Sequence, residues 1–219
     1  MRILFVGLSL PYPPTTGHRL RTWALLQSLA RDGHDITLLS FAEPGEHVDH
    51  GSPLRKLCRR VDVVPVPGGD GSGGEYGRRL RALLSPLPYG AWRFRSPVLQ
   101  ALIQAELDGG RVEMIVCDGV YNMVNVPDSA GVAVALNKDD VAHLIMTRYL
   151  RFERSPAKRL YGWIEARKVR AWERRGCRHA AVTLACSEYD RGILQALWPG
   201  ASVAVVPNVV DTDHYAPAG

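Results

Sequence analysis

No stretch of this sequence stays apolar for the roughly 20 residues that a bilayer-crossing helix needs, so no membrane span is expected. Cysteine is scarce: 219 residues hold four, Cys58, Cys117, Cys177 and Cys186, and none forms a C-x-x-C pair. Zinc and dithiol redox motifs are therefore missing, and free thiols in a reducing cytosol are the default expectation. The seven histidines show no metal-ligand spacing, and no Ser/His/Asp or Cys/His set stands out. The dinucleotide fingerprint G-x-G-x-x-G is absent after the opening apolar run, which continues Gly7-Leu8-Ser9-Leu10-Pro11; there is no Walker lysine either. The N-terminus also lacks a signal peptide's basic region and A-x-A-like site, and it breaks into Pro11-Tyr12-Pro13-Pro14, so Arg2–Leu8 reads as a buried first strand.

What remains is an ordinary globular balance, 46% hydrophobic and 22% charged, sufficient for one large core. Charge is unevenly placed. The formal net charge is +5, yet the segment from Arg151 to Arg178 alone carries ten basic and three acidic side chains, which leaves the rest of the chain slightly acidic. A solvated helix face is the commonest explanation of such a segment. Attachment to an anionic membrane surface is the second, because basic amphipathic helices with tryptophans suit the interface. Nucleic-acid binding ranks last, since no known motif accompanies the charge. Leu160, Trp163, Ile164 and Ala171 fall within a narrow arc of this helix, and that arc is the expected packing face.

Apolar strand-like runs alternate with helical ones. Strands are expected at Arg2–Leu8, Asp35–Phe41, Val61–Val66, Val112–Cys117, Val132–Leu136, Ala181–Ala185 and Val203–Val206. Helices are expected at about His18–Arg31, Tyr76–Leu84, Pro97–Leu107, two within Asp140–Arg178, and Ser187–Leu197. In the first, Thr22, Leu25, Leu26, Leu29 and Ala30 share one face, with Gly33 just past the end. Ser187 with Asp190 three residues on resembles a capping box. Solidly apolar strands, each followed by a helix, predict an α/β fold: a Rossmann-like parallel sheet of about seven strands with helices on both faces. Gly68–Gly74 reads as a mobile surface loop.

Ligands of such sheets bind at the carboxyl ends of the strands, near a switch in strand order. The turn Thr16-Gly17-His18 opens a helix, where free N–H groups and the helix dipole favour phosphate; alternatively, Gly17 merely permits a turn. Cys117-Asp118-Gly119-Val120-Tyr121-Asn122 and Asn137-Lys138-Asp139-Asp140 place polar groups after apolar strands, where helix capping is the competing explanation. Asp211-Thr212-Asp213 has the D-x-D form of a divalent-cation site, but no further strand follows to support it.

In order and spacing, several segments together resemble family 4 (group 1) glycosyltransferases. They are Ile3 to Gly17, Arg21, Leu29 to Leu39, Leu87-Pro88-Tyr89, Cys117-Asp118, Asn122 to Pro127, Leu136-Asn137, Tyr161 to Glu173, Ala185 to Asp190 and Val206 to Asp213. The resemblance implies the N-terminal, acceptor-side half of a GT-B enzyme, with residues 1–206 as the domain and 207–219 as the start of the interdomain linker. It implies transfer from a nucleotide-sugar with retention of configuration, without a cofactor or obligatory metal, to a glycan, lipid-linked or natural-product acceptor. Gly17, His18 and Arg21 would form the donor diphosphate loop. Asp118, Asn137 and Asp139 would be the catalytic set, and Tyr121, Asn122, Arg148, Ser187 and Glu188 would meet the acceptor. The chain departs from the family in having Gly17-His18 where two glycines are frequent, Leu136-Asn137-Lys138-Asp139 where His-Asn precedes Glu in many members, and Val209 at the linker glycine. The expected location is cytoplasmic, with peripheral attachment to the inner face of the cell membrane through residues 151–178. The isolated chain is expected to be inactive. The competing class is a non-catalytic Rossmann-like module that binds a glycan or partner, and a nucleotide-dependent oxidoreductase is third.

Overall fold

The structure, a computed structural model, describes residues 1–67 and 74–208. Most of the Gly68–Gly74 stretch and all of Asp211-Thr212-Asp213 lie outside the described residues. Seven strands form one fully parallel sheet: β1 (Arg2–Gly7), β2 (Asp35–Ala42), β3 (Arg60–Pro65), β4 (Met114–Asp118), β5 (Ala133–Asn137), β6 (Val182–Ala185) and β7 (Val203–Val205). Their order is β3-β2-β1-β4-β5-β6-β7, so the chain first winds outward from β1 and then restarts on its other side at β4. The gap between β1 and β4 is therefore the switch point of a doubly wound, Rossmann-like sheet.

The helices are α1 (Gly17–Arg31), α2 (Pro53–Leu57), α3 (Glu75–Leu83), α4 (Tyr89–Phe94), α5 (Pro97–Asp108), α6 (Ala142–Phe152), α7 (Pro156–His179) and α8 (Glu188–Leu197), with a 3-10 turn at Val120–Val124. The sheet buries both faces, which is why its strands are continuously apolar. Leu4 and Val6 of β1 point into one core with Leu39, Phe41, Ile115 and Leu136, closed by Leu99 and Ile103 of α5 and by Val169 and Trp172 of α7. Ile3 and Phe5 point the other way, with Ile36, Leu38 and Val116, against Leu26 of α1 and Leu54 of α2. Period-two side-chain alternation within an apolar run thus feeds two cores at once. Truncating a fully buried member such as Leu4 or Phe5 is expected to cost about 3–5 kcal/mol.

The expected strands and long helices are all present, with ends shifted by a residue or two. The short helices α2 and α4 and the 3-10 turn carry too few residues to show a period, and they did not emerge from the sequence pattern. One expectation is reversed. On α7 the buried positions are Gly162, Glu165, Val169, Trp172, Glu173, Gly176 and Cys177, while Leu160, Trp163 and Ala171 face solvent and Ile164 is half-buried. Buried Glu165 and Glu173 each carry a lysine partner, and Gly176 allows close approach to Val120 and Leu136. Acidic and glycine positions concealed the packing face from a hydropathy count.

Candidate active site

The carboxyl ends of β1, β4 and β5 open beside the N-terminus of α1, and a connected polar cluster fills that corner. Thr16 caps α1, its hydroxyl accepting from the Arg19 amide at 3.3 Å. His18 stands in the first turn, and Arg21 and Thr22 follow one turn later. These three side chains project toward the strand ends because i, i+3 and i+4 share a helix face.

Asp118, the last residue of β4 and fully buried, is the hub. Its Oδ1 accepts from Asn137 Nδ2 at 2.7 Å, and its Oδ2 accepts from Thr22 Oγ1 at 3.1 Å. His18 Nε2 lies 3.1 Å from the same Oδ2, a contact of charge more than of aligned hydrogen bonding. His18 Nδ1 pairs with Asp139 Oδ2 at 3.0 Å. Asn137, last in β5, offers its Oδ1 to Arg21 Nε at 3.1 Å. Arg21 Nη1 donates to the Val206 carbonyl at 2.5 Å and to Asn208 Oδ1 at 3.0 Å. Gly119, at φ +78°, turns the chain sharply out of β4 under Leu8, which leaves Asp118 pointing into the corner.

The electrostatics follow from burial. For His18, burial opposes the charged form, but contact with Asp118 and Asp139, and their charges, outweigh it and lift the imidazole to about 10. The ring is an imidazolium at neutral pH, clamped between two carboxylates. Asp139 is correspondingly lowered by His18 against its own desolvation. Arg21 differs. It is 4% exposed, and desolvation lowers its pKa. Its hydrogen-bond partners are an amide oxygen, a carbonyl and a second amide oxygen, all uncharged, and its buried Nη2 has no partner among the described residues. The nearby charges of Asp139 and Asp118 offset that burial only in part, and a desolvated cation whose hydrogen bonds all go to neutral dipoles gains from a further anion.

A second layer fixes the loop between β5 and α6, which carries Asp139. Glu173 of α7, fully buried, accepts from Lys138 Nζ at 2.7 Å and the Ala142 amide at 2.9 Å with Oε1. Its Oε2 accepts from the His143 amide at 3.0 Å and pairs with His143 Nδ1. Burial pushes this carboxyl up, but Lys138 and these donors prevail and hold it at about 2. Cys186 Sγ donates to the Asp139 carbonyl at 3.3 Å and ties the start of α8 to the same loop.

Of the candidate residues, Gly17, His18, Arg21, Asp118, Asn137 and Asp139 come together here. Gly17 opens α1 with empty space where a side chain would stand. The candidate acceptor residues are dispersed. Tyr121 lays its ring against Gly90. Asn122 is fully buried, its amide donating to the Val6 carbonyl and accepting from Asn125, so it braces the 3-10 turn and presents nothing to a ligand. Arg148 lies on the exposed side of α6. Ser187 is the N-cap of α8, bonded to Asp190, and Glu188 pairs on the surface with Arg191. The asparagine and the serine follow a common rule: a short polar side chain near a turn or helix start satisfies backbone first. Sequence reasoning missed Thr22, assigned to the apolar face, although its spacing of four from His18 carried the signal. It also missed Cys186, Asn208 and Glu173, whose partners are too distant in sequence for spacing to reveal.

Among the described residues no helix is long and apolar enough to cross a membrane, and no cluster of His, Cys, Asp and Glu has the form of a metal site. A family model described as Glycosyltransferase Family 4 matches residues 16–214. No curated protein matches the chain. Among solved structures, Phytolacca americana UGT2 complexed with UDP-2fluoro-glucose and pterostilbene aligns with a TM-score of 0.54 at 11% identity, over 98% of this chain and 56% of that one. Arabidopsis thaliana UGT89C1 complexed with UDP aligns at 0.50 and 15% identity, over 95% of this chain and 52% of that one. A ugt transferase from Siraitia grosvenorii in complex with UDP gives 0.50 and 13%, over 96% and 52%. The chain thus spans little more than half the length of these structures, and at such identities the likeness is one of fold.

Proposed function

The chain belongs to Glycosyltransferase Family 4, and from that premise we propose that it forms the N-terminal, acceptor-side half of a retaining, nucleotide-sugar-dependent glycosyltransferase. The observation that carries this reading is Arg21: a buried guanidinium whose hydrogen bonds go to neutral oxygens and whose Nη2 has no partner among the described residues, one turn inside the N-terminus of α1. That corner suits a diphosphate, which would meet the guanidinium, the positive end of the helix dipole and the open approach at Gly17. The UDP-containing fold neighbours motivate the choice of a nucleotide diphosphate among anions.

In this mechanism the bond from the anomeric carbon to the diphosphate oxygen breaks, and a bond to the acceptor oxygen forms on the same face of the sugar. The acceptor's proton passes to a diphosphate oxygen. The histidine of the cluster is not poised as a base. His18 is already protonated at neutral pH, and both its ring nitrogens face carboxylates. The work of Arg21 is to stabilise charge on the leaving diphosphate. His18, Asp118 and Asn137 hold the guanidinium and the loop in register, and Asp139 borders the opening where the transferred sugar and acceptor would lie. The donor's nucleoside would be held by a second domain, so the chain alone should not turn over.

The test is direct. Pyrophosphate or UDP added to the chain should shift the backbone NMR signals of Gly17, His18 and Arg19, and Arg21→Met should weaken that binding at least tenfold, the worth of one charge-assisted contact of about 1.5–3 kcal/mol. Shifts confined to another face, or undiminished binding by Arg21→Met, would overturn the proposal.

A further inference from the structure

The solvent side of the α6–α7 hairpin carries an apolar crest that the fold leaves uncovered. On α6, Ile145, Tyr149 and Phe152 recur at i, i+4 and i+7 and are 50%, 50% and 83% exposed. On α7, Leu160 and Trp163 are 61% and 49% exposed. The helices approach closely where Leu150 packs over Gly162. Between them runs an open groove of about 460 Å³ lined by Leu150, Arg151, Arg159, Leu160 and Trp163, so apolar and cationic side chains of both helices share one surface.

Six cations of the hairpin, Arg148, Arg151, Arg154, Lys158, Arg159 and Arg167, are exposed, Arg151 and Arg159 lining the groove itself, and no ion pair among the described residues engages them. Arg167 lies over the Trp163 ring at 4.1 Å. The hairpin's third acid, half-buried Glu153, accepts from Tyr149 Oη at 2.5 Å. A second copy of this face would bring six cations against six, which disfavours self-association. A polyanion alone would satisfy the arginines and leave Phe152 in water. An anionic bilayer satisfies both: phosphates meet the guanidiniums while aromatic and aliphatic tips enter the headgroup–acyl boundary.

We propose that the α6–α7 hairpin is a docking surface for an anionic lipid bilayer, with Phe152 and Trp163 as the inserting residues and the surrounding arginines as the electrostatic contact. This inference is independent of the diphosphate site, and its test involves no sugar transfer. The whole chain is mixed with vesicles of phosphatidylcholine, with and without phosphatidylglycerol, and sedimented. Binding is expected to need the anionic lipid and to fall with added salt. Arg151→Gln with Arg159→Gln should lower partitioning roughly twenty-five-fold, at about fivefold per cation. Phe152→Ser with Trp163→Ser should lower it at least tenfold. Arg151, Arg159 and Phe152 are solvent-facing and Trp163 is half exposed, so circular dichroism melts should match the parent for the arginine pair and stay cooperative, a few degrees lower, for the Phe152/Trp163 pair. Equal binding to neutral and anionic vesicles would overturn the proposal. So would partitioning unchanged by the Phe152/Trp163 pair, which would indicate a generic polyanion site, or a concentration-dependent dimer that either double variant abolishes.

Discussion

Glu173→Gln should be among the most damaging single-atom changes this chain can suffer. The carboxylate of Glu173 receives four donors: Lys138 Nζ and the Ala142 amide at Oε1, the His143 amide and ring at Oε2. A glutamine has one accepting end, so its NH2 must face either the lysine or the His143 donors, and Lys138 loses its counter-charge while 3% exposed. Two routes give the cost. Glu173 moves from an ordinary value of 4.5 to about 2, and at about 1.4 kcal/mol per pKa unit this corresponds to about 3 kcal/mol at neutral pH. Removing one partner of a buried pair typically costs about 3–5 kcal/mol. For a domain of this size the predicted loss is a fall in Tm of roughly 6–12 °C. Because the folded-state pKa is depressed, the stabilisation is complete above 4.5 and vanishes as pH falls toward 2. Thermal melts of parent and variant at pH 7 and pH 2.5 check this. The difference should be large at the first and small at the second, and Lys138→Met should cost less in the Glu173→Gln background than alone. A variant melting within two or three degrees of the parent at pH 7 (about 1 kcal/mol or less) would refute the claim that this clamp holds the Asp139 loop.

Two further outcomes follow from the same corner and its surroundings. The folded-state pKa of His18 is raised to about 10, so its contribution is present below its ordinary 6.5 and is lost as pH rises through 10; Tm should fall between pH 8 and 10.5 more steeply in the parent than in His18→Gln. Burial raises all four thiols, with Cys58 at about 12 and Cys186, beside Asp190, at about 11. A disulfide reagent at pH 7 should therefore label the native chain far more slowly than the unfolded one, because only thiolates react, and a rapidly labelled native cysteine would contradict the placement of these residues.

Much of the fold was legible because its signals are local. Continuous apolar runs such as Ile3–Val6 and Ile36–Leu39 mean two buried sheet faces, and Ser187 three residues before Asp190 marks a helix start wherever it occurs. Half of the site was legible for the same reason. A strand followed by a loop must deliver Asp118 or Asn137 to the carboxyl edge, and Gly17 and Arg21 fall on the helix that follows β1. The acceptor residues were less accessible. Asn122 is polar and follows a strand, as a ligand residue would, yet its amide is consumed by the Val6 carbonyl and Asn125.

By itself, the sequence determined the parallel α/β class, the alternation of elements, the concentration of cations after Arg151 and the family to which these residues belong. Those properties reside in period, composition and order along the chain, which folding does not alter. Tertiary structure alone decided which polar residues are partners. Asp118 reaches Thr22 and His18 across roughly a hundred positions, Glu173 reaches Lys138 from another helix, and the apolar side of α7 points outward because buried acids took the inner face. On that inner face the acids sit beside Val169 and Trp172, which join the core, and such pairings are set by the strand order and the helix packing. Distance in space at the switch between β1 and β4 has no counterpart in distance along the sequence.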